Sequence, residues 1–136
     1  IPSNVSSQPA KPATEASLDQ VIQSMTAVMH SPRGTARASG RRSPYQIAGK
    51  TGTAQVIGIA QDEEYDESVI PEKFHDHALF IAFAPVDNPQ IAIAVVVENG
   101  GSGAKVAAPI ARKIMDRFFQ KKLQRAAAPS KHHVFG

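Results

Sequence analysis

The stretch Ile47 to Val56, IAGKTGTAQV, decides how this chain folds. Gly49-Lys50-Thr51 invites a phosphate-binding loop, but G-x-x-x-x-G-K-[ST] needs glycine at position 44, where the chain has Pro44. Such a loop must also open a helix, whose first backbone N–H groups cradle the anion. The continuation Thr51-Gly52-Thr53-Ala54-Gln55-Val56 instead mixes β-branched and small residues and favours a strand. The sequence therefore predicts a strand within Tyr45 to Ile59. On it, Lys50 and Gly52 point to one face and Thr51 and Thr53 to the other. Gly49 and Gly52 mark a place where something approaches the backbone closely.

Upstream, Leu18, Val21, Ile22, Met25, Val28 and Met29 recur at three- and four-residue spacing, which predicts an amphipathic helix. Ser17 is the expected N-cap, with Gln20 at the capping-box position and Pro32 just past the end. The first 16 residues, rich in Ser, Pro and Ala without an apolar period, read as a linker or loop. Arg33, Arg37, Arg41 and Arg42 lie among small residues in Ser31 to Ser43, an exposed basic loop. Its charges either face solvent or touch an anionic ligand.

Downstream, ALFIAFA from Ala78 and IAIAVVV from Ile91 flank Pro85-Val86-Asp87-Asn88-Pro89-Gln90, which is turn chemistry, so a hairpin is expected. Both runs are apolar at odd and even positions, so both faces of the sheet call for cover. Val106, Ile110, Ile114 and Phe118 form a four-residue-spaced stripe on a final helix, with Pro109 in its first turn. Arg112, Lys113, Arg117, Lys121 and Lys122 largely occupy its other faces, as a solvated surface would. Two helices cannot readily cover three apolar strands on both sides, which implies that part of the fold lies outside this chain.

At 136 residues, with 42% hydrophobic and 20% charged residues, the chain suits one globular domain rather than a disordered or coiled-coil one. Net charge is +3, but with no Trp and 6% aromatics the stacking platforms for nucleic acid are scarce, and no nucleic-acid partner is expected. Cysteine is absent, which excludes disulfides, thiolate zinc sites and a cysteine nucleophile. Neither a signal-peptide pattern nor an apolar run long enough to span a membrane occurs, so any anchor belongs to another segment. The acidic set Asp62, Glu63, Glu64, Asp66 and Glu67 lacks the spacing of an EF-hand. His75-Asp76-His77 offers two imidazoles on one strand face without a third ligand; a structural role for His77 is the simpler expectation. No metal and no cofactor are expected.

IAGKTGTAQV, then HDHALFIAFAP, then IAIAVVVENGG and an amphipathic helix, closely resembles in order and spacing the C-terminal part of the transpeptidase domain of class B penicillin-binding proteins. Within that class it is most similar to the elongation-type group, penicillin-binding protein 2. The resemblance covers about Leu18 to Gln120. It implies an α/β (α+β) fold, an antiparallel sheet flanked by helices, as a partial β-lactamase-like transpeptidase fold. Residues 1–16 are then a linker, 17–125 the domain portion and 126–136 a flexible tail.

The activity implied is serine acyl transfer that cross-links peptidoglycan stem peptides during cell elongation, with β-lactams as mimics of the D-Ala-D-Ala end. Lys50 would bring positive charge to the cleft and assist proton movement through the hydroxyl of a second motif. Thr51 and Thr53 would offer hydroxyls to the terminal carboxylate, the Thr53 N–H would be one oxyanion donor, and Gly52 would permit close approach. Implied partners are an upstream segment carrying S-x-x-K and S-x-N or S-x-D, the stem peptides, β-lactams and membrane-embedded elongation machinery. The implied location is the periplasmic face of the bacterial inner membrane.

The chain departs from the family at the nucleophile. Ser102-Gly103-Ala104-Lys105 is a literal S-x-x-K, but it follows the hairpin in a glycine-rich turn instead of opening a buried helix before the K-T-G. It is expected to be a coincidence of letters, and this segment alone is expected to be inactive. Two rival functions remain at the level of sequence: a peptide-carboxylate binding module without covalent chemistry, and a penicillin-recognising hydrolase such as a D,D-carboxypeptidase or β-lactamase.

Overall fold

The first helix, α1, runs Glu15–His30 in a computed structural model that describes residues 11–56, 68 and 71–127. Its N-cap lies three residues before the expected Ser17, at Thr14, whose hydroxyl oxygen accepts from the Ser17 N–H at 3.2 Å. A Thr cap of this kind is worth about 1 kcal/mol. The Ser17 hydroxyl, at 2.8 Å from that of Thr14, completes the cap where a Gln20 capping box was expected. The helix ends at Ser31, whose N–H bonds to the Ala27 carbonyl, one residue before Pro32.

The basic loop is more ordered than its composition suggests, for it contains a short helix, α2, Arg37–Gly40. Small residues make this possible. A Cβ on Gly34 would lie 2.3 Å from the Val28 carbonyl oxygen, and one on Gly40 would lie 2.0 Å from that of Met29. The loop is therefore laid backbone-to-backbone on the last turns of α1, and Ala36 is buried there.

Three strands form one antiparallel sheet in the order β1-β2-β3: β1 Ala48–Ala54, β2 His77–Ala84 and β3 Ile91–Val97. The expected hairpin is β2-β3, and β1 is shorter than the expected strand. It begins only at Ala48 because Tyr45 is held aside by Asp116; Ile57 to Ile59 and the acidic set at 62–67 lie outside the described residues. A 3-10 turn, Glu72–Phe74, leads into β2.

The expected stripe on the last helix is not its core face. A π-helical turn, Gly103–Ala107, passes into α3, Ala108–Ala127, and the residues buried against the sheet are Ala107, Ala108, Ala111 and Met115. Ile110, Ile114 and Phe118 point outward, with Ile114 45% exposed. Both sets obey four-residue spacing, and the small one wins the sheet because alanines let the helix axis approach Ala78, Phe80, Ala82 and Ala84 closely. Burying a side chain such as Phe80 or Met115 contributes about 1.5–3 kcal/mol.

Only one face of the β2-β3 hairpin receives this cover. On the other, among the described residues, Ile81 is 52% exposed and Val96 62% exposed. Among the described residues no helix is long and apolar enough to cross a membrane.

Candidate active site

Lys50, Thr51, Gly52 and Thr53 all lie on β1, an edge strand with β2 on one side and no strand on the other among the described residues. The register pairs Lys50 with Ile81, Thr51 with Phe80, Gly52 with Leu79 and Thr53 with Ala78. Alternation then sends Lys50 and Gly52 to the open face of the sheet and Thr51 and Thr53 to the face that α3 covers. Lys50 and Thr53 are exposed, whereas Thr51 and Gly52 are half-buried. An edge strand with exposed backbone is a template for an extended peptide.

The Lys50 ammonium donates to the Thr51 carbonyl at 2.7 Å. Lys50 also borders a groove of about 650 Å3 between α1 and the open sheet face, where Val21, Met25 and Val28 face Ile81. A cation is thus set at the mouth of an apolar trough, the combination that holds an anionic, partly apolar ligand in one orientation.

The two glycines of the motif answer to different neighbours. A Cβ on Gly49 would lie 2.6 Å from Phe80 Cζ and 3.1 Å from Met29 Sδ, so what approaches Gly49 is the core itself. A Cβ on Gly52 would meet Leu79 Cβ at 3.2 Å, a milder conflict on the open face. The sequence could not separate these roles, because both positions read as glycine in a strand.

Thr35 was missed in the sequence. Its hydroxyl lies 3.5 Å from that of Thr51, so the basic loop reaches β1 at the K-T-G positions. Asp76 was weighed only for metal binding. Its buried carboxylate accepts the Val56 N–H at 3.1 Å just past β1, and its carbonyl accepts the Gly101 N–H at 2.8 Å. His77 takes the structural part expected of it, Nδ1 accepting the Asn99 N–H at 2.9 Å, where Asn99 turns the chain with φ 53. Among the described residues no three His, Cys, Asp or Glu side chains converge to hold a metal.

His30, the last residue of α1, accepts the Ile47 N–H at Nε2 (2.9 Å), which fixes the entry into β1. Desolvation, and then the positive charge of Arg112, lower its pKa from the usual 6.5. Arg112 is fixed in turn: Nε donates to both oxygens of Asp116 at 2.9 and 3.0 Å, and Nη1 to the Ser39 carbonyl at 2.7 Å. Tyr45 completes the group, its hydroxyl donating to Asp116 Oδ1 at 2.6 Å; burial and then that carboxylate raise its pKa far above the usual value. This network ties loop, β1 and α3 together but lies apart from Lys50.

Ser102 caps the π-helical turn, its hydroxyl oxygen accepting from the Lys105 N–H at 3.3 Å. The S-x-x-K letters thus make a cap, with the exposed Lys105 contributing its backbone to the bond.

With this geometry in hand, comparison with known proteins gives concordant matches. The family model described as the penicillin binding protein transpeptidase domain matches residues 4–116. Peptidoglycan D,D-transpeptidase MrdA of Acinetobacter baumannii is 48% identical over 104 residues, which is 76% of this chain and 15% of that protein. A crystal structure of Pseudomonas aeruginosa PBP2 in complex with WCK 5153 is 48% identical, with a TM-score of 0.62, over 76% of this chain and 19% of that one. Helicobacter pylori PBP2, solved in complex with MreC, superposes with a TM-score of 0.66 at 28% identity, over 86% of this chain and 20% of that one. The chain thus spans less than a fifth of the length of the curated MrdA relatives, 19% of that from Salmonella typhimurium and 14% of that from Escherichia coli K12.

Proposed function

This chain belongs to the penicillin-binding protein transpeptidase-domain family, and we propose from that premise that it is the K-T-G-bearing wall of a peptidoglycan D,D-transpeptidase active site. The observation that carries the proposal is Lys50-Thr51-Gly52-Thr53 on an edge strand whose outer side has no partner strand among the described residues. The donor stem peptide lies along that edge, its terminal carboxylate meeting the Thr51 and Thr53 hydroxyls. A serine from an upstream segment attacks the carbonyl of the penultimate D-Ala. The ester forms, the amide C–N bond breaks, and the terminal D-Ala leaves with a proton.

During this step the Thr53 N–H holds the developing oxyanion, a contribution of about 2.7–4 kcal/mol to the barrier for one donor. The second donor is the nucleophile's own N–H. Lys50 raises the positive potential of the cleft and helps move the proton through the hydroxyl of the second motif. An amine of the acceptor stem peptide then attacks the ester, the cross-link amide forms, and the serine regains its proton. A β-lactam enters the same site and stays as the acyl adduct.

The elongation assignment is supported by the identity to MrdA relatives, and the Helicobacter pylori complex with MreC supports a partner in the elongation machinery. Action at the periplasmic face of the inner membrane, with the anchor in another segment, follows from that assignment. The segment before the domain portion, expected at residues 1–16, serves as the linker and that after it, expected at 126–136, as the tail, although α1 takes in residues 15–16 and α3 residues 126–127.

Labelling with a fluorescent penicillin tests the proposal. The longer polypeptide that includes the upstream S-x-x-K is expected to take the label and to hold it, and this chain alone is not. A longer polypeptide that never labels overturns the proposal; rapid release of the adduct would make the enzyme a hydrolase. Label on this chain alone that disappears in Ser102→Ala would make Ser102 the nucleophile.

A further inference from the structure

The peptide unit between Gly52 and Thr53 carries two polar groups: the Thr53 N–H, assigned above to the oxyanion, and the Gly52 carbonyl. In a planar trans peptide they point in opposite directions, so whatever fixes the carbonyl aims the N–H. The residue that lies against this unit is Gly103. A Cβ on Gly103 would lie 2.7 Å from the Gly52 oxygen, 3.3 Å from the Gly52 nitrogen and 2.4 Å from the Leu79 oxygen. All three are backbone atoms of the β1-β2 ladder, which cannot swing aside as a side chain does.

This contact is possible because the Gly52–Leu79 pair directs its Cβ positions to the open face, leaving bare backbone where the π-helical turn packs. Gly103 is fully buried there, and both of its flanks are held. Gly101, in the left-handed conformation at φ 69, donates its N–H to the Asp76 carbonyl, while the Asp76 carboxylate takes the Val56 N–H at the end of the K-T-G strand. Ser102 caps the turn with its hydroxyl on the Lys105 N–H and its carbonyl on the Val106 N–H at 2.9 Å.

We propose that Gly103 is a positioning residue for acyl transfer: its missing side chain sets the height and tilt of the Gly52–Thr53 peptide, and so the aim of the oxyanion N–H. The proposal rests on the transpeptidase reading. It gives the G-G-S-G run after β3, which looks like a flexible linker, the part of a rigid seat under the active-site strand.

The test is made in the whole enzyme, with Gly103→Ala. Three quantities are read: the acylation rate per labelled site, the dissociation constant of the penicillin before acylation, and the infrared stretch of the penicilloyl ester carbonyl. Acylation is expected to slow by at least about 10-fold, approaching the ~10²–10³-fold of a lost donor. Pre-acylation binding should stay within about 3-fold, and the ester stretch should move to higher frequency as the carbonyl loses its donor. A folded variant with an unmoved stretch and a rate within about 2-fold of wild type overturns the inference, as does a loss confined to binding or to the number of sites labelled.

Should Gly103→Ala fail to fold, Ser102→Ala loosens the same seat without a clash. It is expected to slow acylation several-fold and shift the stretch in the same direction; an unmoved stretch overturns the inference. A wild-type enzyme that takes no label defeats the transpeptidase reading and this inference together, whereas a labelled wild type with an indifferent Gly103 defeats the inference alone.

Discussion

Ala48 and Gly49 at the start of β1 are buried, whereas Lys50 to Ala54 are half-buried or exposed. One strand therefore has a half that belongs to the core and a half to which the proposed function assigns the chemistry. Gly49 is glycine because Phe80 and Met29 occupy the space its Cβ would need. Gly52 is glycine beside Leu79 on one face and with Gly103 seated against its backbone on the other. Adjacent letters of one motif thus answer to different constraints: substitutions in the first half should cost stability, and those in the second should cost rate.

The largest effect expected on stability is that of Gly49→Val. Overpacking against Phe80 and Met29 should cost about 3 kcal/mol or more, read as a lower midpoint of thermal or denaturant unfolding of the whole enzyme. An unchanged midpoint would break the distinction between the two halves. Thr51→Val is the converse. Losing a hydroxyl bond to a carboxylate is worth about 1.5–3 kcal/mol, so acylation by penicillin should slow by about 10- to 100-fold. The unfolding midpoint should move by no more than about 0.5 kcal/mol equivalent.

Tyr45→Phe sharpens the comparison from outside the strand. It removes one bond to Asp116 but leaves the Arg112 pair, so the expected cost is about 1 kcal/mol in stability with the acylation rate unchanged. The smallest effect should be that of pH on His30. Its folded pKa is lowered below 6.5, so the unfolded chain binds the proton more readily. The contribution to stability is complete above that value and is lost as pH falls below it toward the depressed folded pKa. His30→Gln keeps an acceptor for the Ile47 N–H but does not titrate; the difference in unfolding midpoint between about pH 7.5 and about pH 5.5 should shrink in that variant.

The elements were legible where one physical signal dominated. Ile91 to Val97 and Ala78 to Ala84 read as strands because β-branched and apolar runs flank a proline-bearing turn, and the structure extends β2 by His77 alone. Lys50 to Thr53 read as a strand because Pro44 removed the phosphate loop and the residues beyond Gly52 suited one; that it is an edge strand came only with the sheet order. The face of α3 was not legible. Ile110, Ile114 and Phe118 outweigh Ala107, Ala111 and Met115 on any scale of hydrophobicity, yet close approach to the sheet selects the smaller set. The contacts of Gly34, Gly40 and Gly103 were hidden for a related reason, since a residue chosen for what it lacks shows only as a loop signal in sequence. Thr35 and Asp76 act through distance in space, and nothing in their local sequence points to β1.

The most direct test of the account is Lys50→Ala in the whole enzyme, with the second-order rate of penicillin acylation and the melting temperature measured on the same preparation. Lys50 is exposed and hydrogen-bonds its own strand, so the melting temperature should move by no more than about 2 °C. Acylation should fall by about 10²–10⁴-fold, the range for a group that moves a proton in the transition state. A variant that acylates at the wild-type rate, or whose loss of rate is matched by a loss of folded protein, would contradict the assignment of this strand edge as an active-site wall.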